Sequence, residues 1–246
     1  MRVEAYPFPN RKTGLKKKEI YSYNNKYINL KEKNKKYEKK ISSETSNIKN
    51  QYLYIENELL RSFQYVQPTI KNKYTSSVRF ASIIRESANL YEIISESLYR
   101  KIYDIKVTDR LNIYNYLSLD CFLDLSNKVL YSPVLYGEFD GDDILLPYKS
   151  LENWDKNSKI ESNNIPKWWK SYNKVKHDIN GINDYATLEN AILAVGAIYV
   201  IINRIYGEGV VGGILKKPKG KNGYIQLIVP VSKLFIEEIK IVASFG

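Results

Sequence analysis

His177 is the only histidine in the chain, and Cys121 the only cysteine. Any proton transfer through an imidazole near neutral pH therefore runs through one residue. His177 closes the run P-K-W-W-K-S-Y-N-K-V-K-H at 166–177, in which Lys170, Asn173, Lys174 and His177 recur at steps of three and four. On a helix that spacing puts two ammonium groups, a carboxamide and the imidazole on one stripe. The chemistry suggested is cleavage of an RNA phosphodiester by its own 2′-hydroxyl. That reaction needs a proton carrier with a pKa near 7, about 6.5 for ordinary histidine, and a cation beside the phosphate oxygens as charge develops. It needs no metal. One imidazole cannot act as separate acid and base, so a homodimer bringing two copies of the helix together is expected. The same stripe also has a plainer use as a solvated face, with cations complementing the negative end of the helix dipole.

The elements that must position this stripe are mostly helical. Pro166 suits the opening of a helix, since its missing N–H costs nothing in the first turn. Trp168, Tyr172, Val175 and Ile179 form an apolar stripe apart from His177. The pair Trp168–Trp169 suits core packing better than base stacking. A loop through Asn180, Gly181 and Asn183 follows, then Thr187 as cap of a helix with Leu188, Ile192, Val195, Ile198 and Ile202 on a broad apolar face. Glycines from Gly207 onward stop it. Upstream, residues 78–103 place Phe80, Ile83, Ile84, Tyr91, Ile94 and Leu98 on one stripe, with Arg79, Arg85, Glu86, Glu92 and Glu96 on the polar side. A weaker helical pattern spans 47–66. From Thr108, a plausible cap, to about Leu125, one or two helical segments are expected, with Leu111, Tyr114, Leu117 and Phe122 in the core. Residues 129–148 are punctuated by Pro133, Gly137, Gly141 and Pro147, as in an irregular insertion with a small hairpin. The tail reads as a β-hairpin about KKPKGKNG at 216–223, and the segment after it fits strand or helix.

Charge is distributed unevenly. The net charge is +11, and residues 1–50 carry 14 Lys+Arg against 5 Asp+Glu while the rest carry 24 against 22. The first block reads as a basic arm outside the core. It suits a nucleic-acid footprint with Tyr21, Tyr23, Tyr27 and Tyr37 as stacking groups. It suits a solvated tail equally well, because tyrosines are spread through the whole chain, 22 in all. The longest apolar run, 191–207, is broken by Asn203 and Arg204, so no membrane helix is expected. The N-terminus lacks the apolar core of a secretory signal, and a cytoplasmic protein is expected. The single cysteine and single histidine leave no disulfide and no cysteine- or histidine-built metal site, and no cofactor is expected.

The segments P-K-W-W-K-S-Y-N-K-V-K-H-D at 166–178 and A-T-L-E-N-A-I-L-A-V-G-A-I-Y-V-I at 186–201 resemble the signature of bacterial HEPN-domain proteins. Their penultimate helix reads P-x-W-W-x-x-Y-N-x-x-K-H-D-R. The segment F-A-S-I-I-R-E-S-A-N-L-Y-E at 80–92 is similar to that group's helix of the form L-L-R-x-x-x-E-x-E. The resemblance implies a mainly α fold, a HEPN-like bundle of four to five helices, commonly dimeric, here with a small C-terminal β-hairpin appendage. The resemblance covers residues of roughly 65–205; the expected division of the chain is a HEPN-like helical domain at 51–207 with an irregular insertion at 129–165, with the basic arm at 1–50 and the C-terminal hairpin and tail at 208–246 lying outside the resemblance. Active members are metal-independent ribonucleases of toxin–antitoxin and antiviral defence systems, with an Arg, a polar residue, a spacer and a His. Here Lys170 and Ser171 stand at the Arg and polar positions, and Ile179 replaces the Arg after K-H-D. The expected assignment gives proton transfer to His177 and the phosphate to Lys170, helped by Lys174 or Lys176. Asn173 and Ser171 would position phosphate or ribose, and Arg79 or Arg85 would supply a guanidinium. RNA, a second copy of the chain, and an antitoxin or defence-complex protein are the expected partners. Two further readings stand beside this one: a non-catalytic module binding nucleic acid or nucleotide, and a scaffold subunit.

Overall fold

The computed structural model describes residues 35–128, 130–131, 144–177, 181–207, 210–211, 215–216, 226–227, 232 and 234–237, and for a few of these, 35–42 among them, the backbone alone. Tyr21, Tyr23, Tyr27, Asp178 and Ile179, and most of KKPKGKNG, lie outside the described residues.

The chain is mainly helical. Helix α1 spans Lys35–Ser62 and α2 spans Val78–Tyr103; the short α3 and α4 cover Ile113–Leu117 and Asp120–Leu123. After two short strands come α5 (Lys167–His177), α6 (Gly181–Tyr185) and α7 (Leu188–Tyr206). Helix α7 is the hub: it packs most extensively on α2, and also on α1 and α5, while α2 touches α1 and α5 in turn. By length and composition α7 could cross a membrane, but 83% of its apolar window is buried within this fold. The periodicity of α2 translates directly into burial, with Phe80, Ile83, Ile84, Tyr91, Ile94 and Leu98 all inside. Ser77 caps α2 by accepting from the Phe80 N–H, and Asp104 ends it in the left-handed conformation at φ 52°. Thr187 caps α7 as its sequence suggests, accepting from the Asn190 N–H, and Gly207 ends it at φ 96°, a backbone that only glycine adopts freely.

Several expectations are revised. Helix α1 runs unbroken across the boundary drawn at residue 50, and Ile48 belongs to the core, so residues 35–50 of the basic block share one helix with the bundle. The cap between α2 and α3 is Asn112 rather than Thr108; it forms a reciprocal capping box with Asn115. That phase shift exposes Tyr114 and buries Ile113 and Tyr116 in its place, beside Leu117, which is buried as expected. The expected loop at 180–183 contains the start of α6.

The insertion is tied into the bundle. Strand β1 (Leu130–Tyr131) pairs antiparallel with β2 (Ile144–Leu145), and its other edge pairs with β5 (Ile236–Glu237), so the ambiguous C-terminal segment is strand there. Residues 215–216 (β3) and 226–227 (β4) pair antiparallel in a separate two-stranded ladder. Tyr148, Leu151, Trp154 and Ile160 of the insertion are buried, and the Tyr148 hydroxyl donates to the Ala197 carbonyl of α7 at 2.9 Å. Gly196 makes a notch in α7. A Cβ there would stand 3.1 Å from Leu130 Cδ1, 3.2 Å from Pro147 Cγ and 3.7 Å from Phe235 Cζ.

A second tie is polar. Glu56 of α1 is 1% exposed. Its Oε1 accepts from the Tyr52 hydroxyl at 2.9 Å, the Ser232 hydroxyl at 2.5 Å and the Leu234 N–H at 3.2 Å. Burial first, and the neighbouring Glu56 carboxylate second, hold the Tyr52 phenol well above its ordinary range. The residues expected to form an appendage therefore anchor on α1.

Candidate functional site

Helix α5 begins where proline allows it. The Trp169 and Lys170 N–H groups donate to the Pro166 carbonyl at 3.1 and 3.0 Å, and Pro166 has no N–H to leave unsatisfied. Its inner face is aromatic. Trp168, Trp169, Tyr172 and Val175 are buried, and Trp168 meets Tyr91 edge-on at 5.3 Å and Tyr148 at 6.4 Å between ring centroids. The Trp168 indole N–H donates to the Pro147 carbonyl at 3.0 Å, which meets its hydrogen-bonding need inside the core. The tandem tryptophans are thus packing groups.

The outer face carries Lys167, Lys170, Asn173, Lys174, Lys176 and His177, all exposed. Among the described residues, no group hydrogen-bonds or ion-pairs with the side chain of Lys170, Asn173 or His177. His177 is the last residue of α5, and Lys174 and Lys176 share its turn, where cations complement the helix dipole. Between Lys170 and His177 lie two helical turns, roughly 10 Å along the axis. Lys176 leans over the Tyr172 ring, 5.1 Å from its centroid. Its interaction with the Tyr172 hydroxyl, more than the neighbouring Glu92, raises its pKa. The Tyr172 hydroxyl reaches Asn89 Oδ1 of α2 at 3.5 Å. On α2, partial burial pushes the Glu92 carboxyl up; Lys176 opposes this and Glu96 reinforces it.

Two expected members stand apart from this face. Ser171 is a correction: it is 2% exposed, and its hydroxyl donates back to the Lys167 carbonyl at 3.1 Å. Three residues on from Trp168, it falls on the buried stripe and offers nothing to a ligand. Arg79 lies on the polar side of α2, but its guanidinium pairs with Glu58 of α1 at 2.5 Å, so it is held toward α1. Arg85 is half-buried, and among the described residues no ion pair or hydrogen bond joins it to α5. Lys170, Asn173, Lys174 and His177 are therefore brought together, and the guanidiniums are not.

Two tyrosines that no spacing singles out stand beside this ridge. Tyr74, 65% exposed, has the Lys73 Nζ at 5.1 Å and the Lys167 Nζ at 5.7 Å from its ring centroid. Tyr185 of α6, 37% exposed, has the Lys174 Nζ at 5.7 Å. Lys167 also pairs with Glu189 at the start of α7. No group of three His, Cys, Asp or Glu side chains suited to a metal ion occurs among the described residues. Comparison of the chain with protein-family models, curated proteins and solved structures gives no match, so a functional reading has to start from these side chains.

Proposed function

We propose that this bundle is of the HEPN type and acts as a cytoplasmic, metal-independent ribonuclease, with a toxin–antitoxin or antiviral role. The observation that supports this is the exposed imidazole of His177 at the end of a helix whose inner face is locked by aromatic packing, with Lys170 and Lys174 on the same outer face. The neutral imidazole accepts the proton of a ribose 2′-hydroxyl, and that oxygen attacks the adjacent phosphorus. The bond from phosphorus to the 5′-oxygen breaks, leaving a 2′,3′-cyclic phosphate on one fragment. The 5′-oxygen takes its proton from the imidazolium of a second copy of α5 in a homodimer. Lys170 and Lys174 hold the phosphate oxygens as point charges, and the Asn173 carboxamide hydrogen-bonds the ribose or phosphate.

His177→Ala should abolish cleavage of a labelled RNA and leave the helical circular-dichroism spectrum and melting temperature unchanged, since the side chain is exposed. Products of the unaltered chain should carry 2′,3′-cyclic phosphate ends. Full cleavage by the purified variant would remove His177 from the mechanism.

One observation favours a second reading, a non-catalytic module that holds RNA. The guanidinium nearest to hand on the sequence pattern, Arg79, is occupied by Glu58, so the ridge has only ammonium groups to meet a phosphate. That reading expects salt-sensitive RNA binding with no cleavage by the unaltered dimer.

A further inference from the structure

We infer that the outer face of α5, extended by Tyr74 at one end and Tyr185 at the other, is a track for single-stranded RNA in which the two tyrosines stack on bases. This deepens the reading of the chain as one that engages RNA and rests on it, but it does not depend on catalysis by His177.

Three features of the surface point this way. Lys167, Lys170 and Lys174 follow one another at three- and four-residue steps, so their ammonium groups form a row over roughly 10 Å of helix. Among the described residues that row is neutralised only at its first member, where Glu189 pairs with Lys167; at the other end the nearest acid in sequence is Asp178, outside the described residues, and Asp184 stands next to Tyr185. Each end carries an aromatic ring that the core does not need. Tyr74 and Tyr185 are 65% and 37% exposed, although lysine ammonium groups lie over their rings, those of Lys73 and Lys167 at Tyr74 and that of Lys174 at Tyr185. Cation contacts orient the rings, and the exposure that remains gives a base room to stack.

The two tyrosines belong to separate elements held firmly in register with α5. The chain after Lys73 is clamped to the start of α7: the Glu189 N–H donates to the Lys73 carbonyl at 3.0 Å and the Leu188 N–H to the Thr75 carbonyl at 2.9 Å. Tyr185 lies in α6, which packs on both α5 and α2. The rings and the ammonium row are therefore fixed relative to one another before any ligand arrives. Alternating cations and open aromatic faces are how proteins hold unpaired strands, because every base has a face to stack and every linkage a charge. A duplex hides its base faces and would gain only the charge.

The test uses the full chain carrying His177→Ala, so that RNA stays intact, and a fluorescein-labelled adenylate strand of about twelve nucleotides. Binding is read by anisotropy over a range of salt. Stacking is lost with each alanine, so Tyr74→Ala and Tyr185→Ala should each weaken binding at least about fivefold. Tyr74→Phe and Tyr185→Phe, which keep the ring, should bind within about twofold of the parent. Lys170→Ala and Lys174→Ala should each lower the salt slope by about 0.7, and Lys167→Ala, already paired with Glu189, should lower it by less. A blunt-ended duplex of equal length should bind more weakly than the single strand.

Tight RNA binding that is indifferent to both alanine substitutions would overturn the track while leaving the ribonuclease reading intact. Absence of RNA binding by the parent would sink both. Cleavage by the unaltered chain that is lost with His177→Ala, together with unchanged binding in the tyrosine variants, would retain the nuclease and move the track elsewhere. Binding to phosphatidylserine vesicles through Lys170 and Lys174, without RNA binding, would assign the face to a lipid surface and reject the proposal.

Discussion

Replacing Glu56 by alanine removes the acceptor that ties the C-terminal residues to α1. Three donors converge on it, the Tyr52 and Ser232 hydroxyls and the Leu234 N–H. Hydrogen bonds to a charged acceptor contribute about 1.5–3 kcal/mol each, so the gross loss is roughly 5–9 kcal/mol. Two effects reduce it. Tyr52 and Ser232 hydroxyl oxygens already lie 3.1 Å apart, and the Leu234 N–H keeps Ser232 Oγ at 3.2 Å, so the donors have somewhere to turn. Removing a buried charge also relieves a desolvation penalty of several kcal/mol. The net cost expected is about 2–3 kcal/mol. For a domain of this size that lowers the melting temperature by roughly 4–12 °C. Thermal unfolding by circular dichroism measures it. Two independent readouts accompany it. Tyr52 should titrate at lower pH, because one of the causes that raises its pKa is gone, and residues beyond 230 should be clipped sooner by a protease. A melting temperature within about 1 °C of the parent would show that the C-terminal segment is not held through this carboxylate.

Other outcomes follow from the same structure. Gly196→Val should cost about 1–3 kcal/mol by forcing Leu130 and Pro147 away from α7, and a melting curve that does not move would mean that the notch is not filled. Burial raises the phenols of Tyr52, Tyr91 and Tyr148, and burial with Glu96 and Glu92 pushes Tyr116 up to about 12. The folded chain thus keeps protons that the unfolded chain releases, so stability is full below about pH 10 and falls as pH rises beyond it. Melts from pH 8 to 11 should show this decline, and Tyr148→Phe should flatten it while costing about 1 kcal/mol at neutral pH for the lost bond to Ala197. Glu92 shows the same sign at lower pH. Its raised pKa makes stability decline as pH climbs through the carboxylate range, so Glu92→Gln should reduce that decline in pH-dependent melts.

What could be read from the sequence was whatever periodicity controls. The stripe of α2, the Pro166 start of α5, the Thr187 cap and the inward tryptophans depend on local spacing, and they appear where spacing puts them. Tyr114 was misplaced because the helix phase there is set by the Asn112–Asn115 box and not by the earlier threonine. Ser171 was grouped with ligands by its chemistry, whereas its place one turn from Trp168 decides its burial. Long-range partners were beyond reach. Nothing in the spacing of Arg79 discloses Glu58, and nothing separates Tyr74 and Tyr185 from twenty other tyrosines until their neighbours in space are known.

The third strand of the β1 sheet has a consequence for synthesis. Residues 232–237 follow the bundle helices in the chain, yet Ser232, Leu234 and Phe235 end up inside. Until they are in place, Gly196 lacks Phe235 beside it, and the Glu56 carboxylate lacks the Ser232 and Leu234 donors. A stop codon shortly before residue 230 would leave that carboxylate and one edge of β1 without these partners.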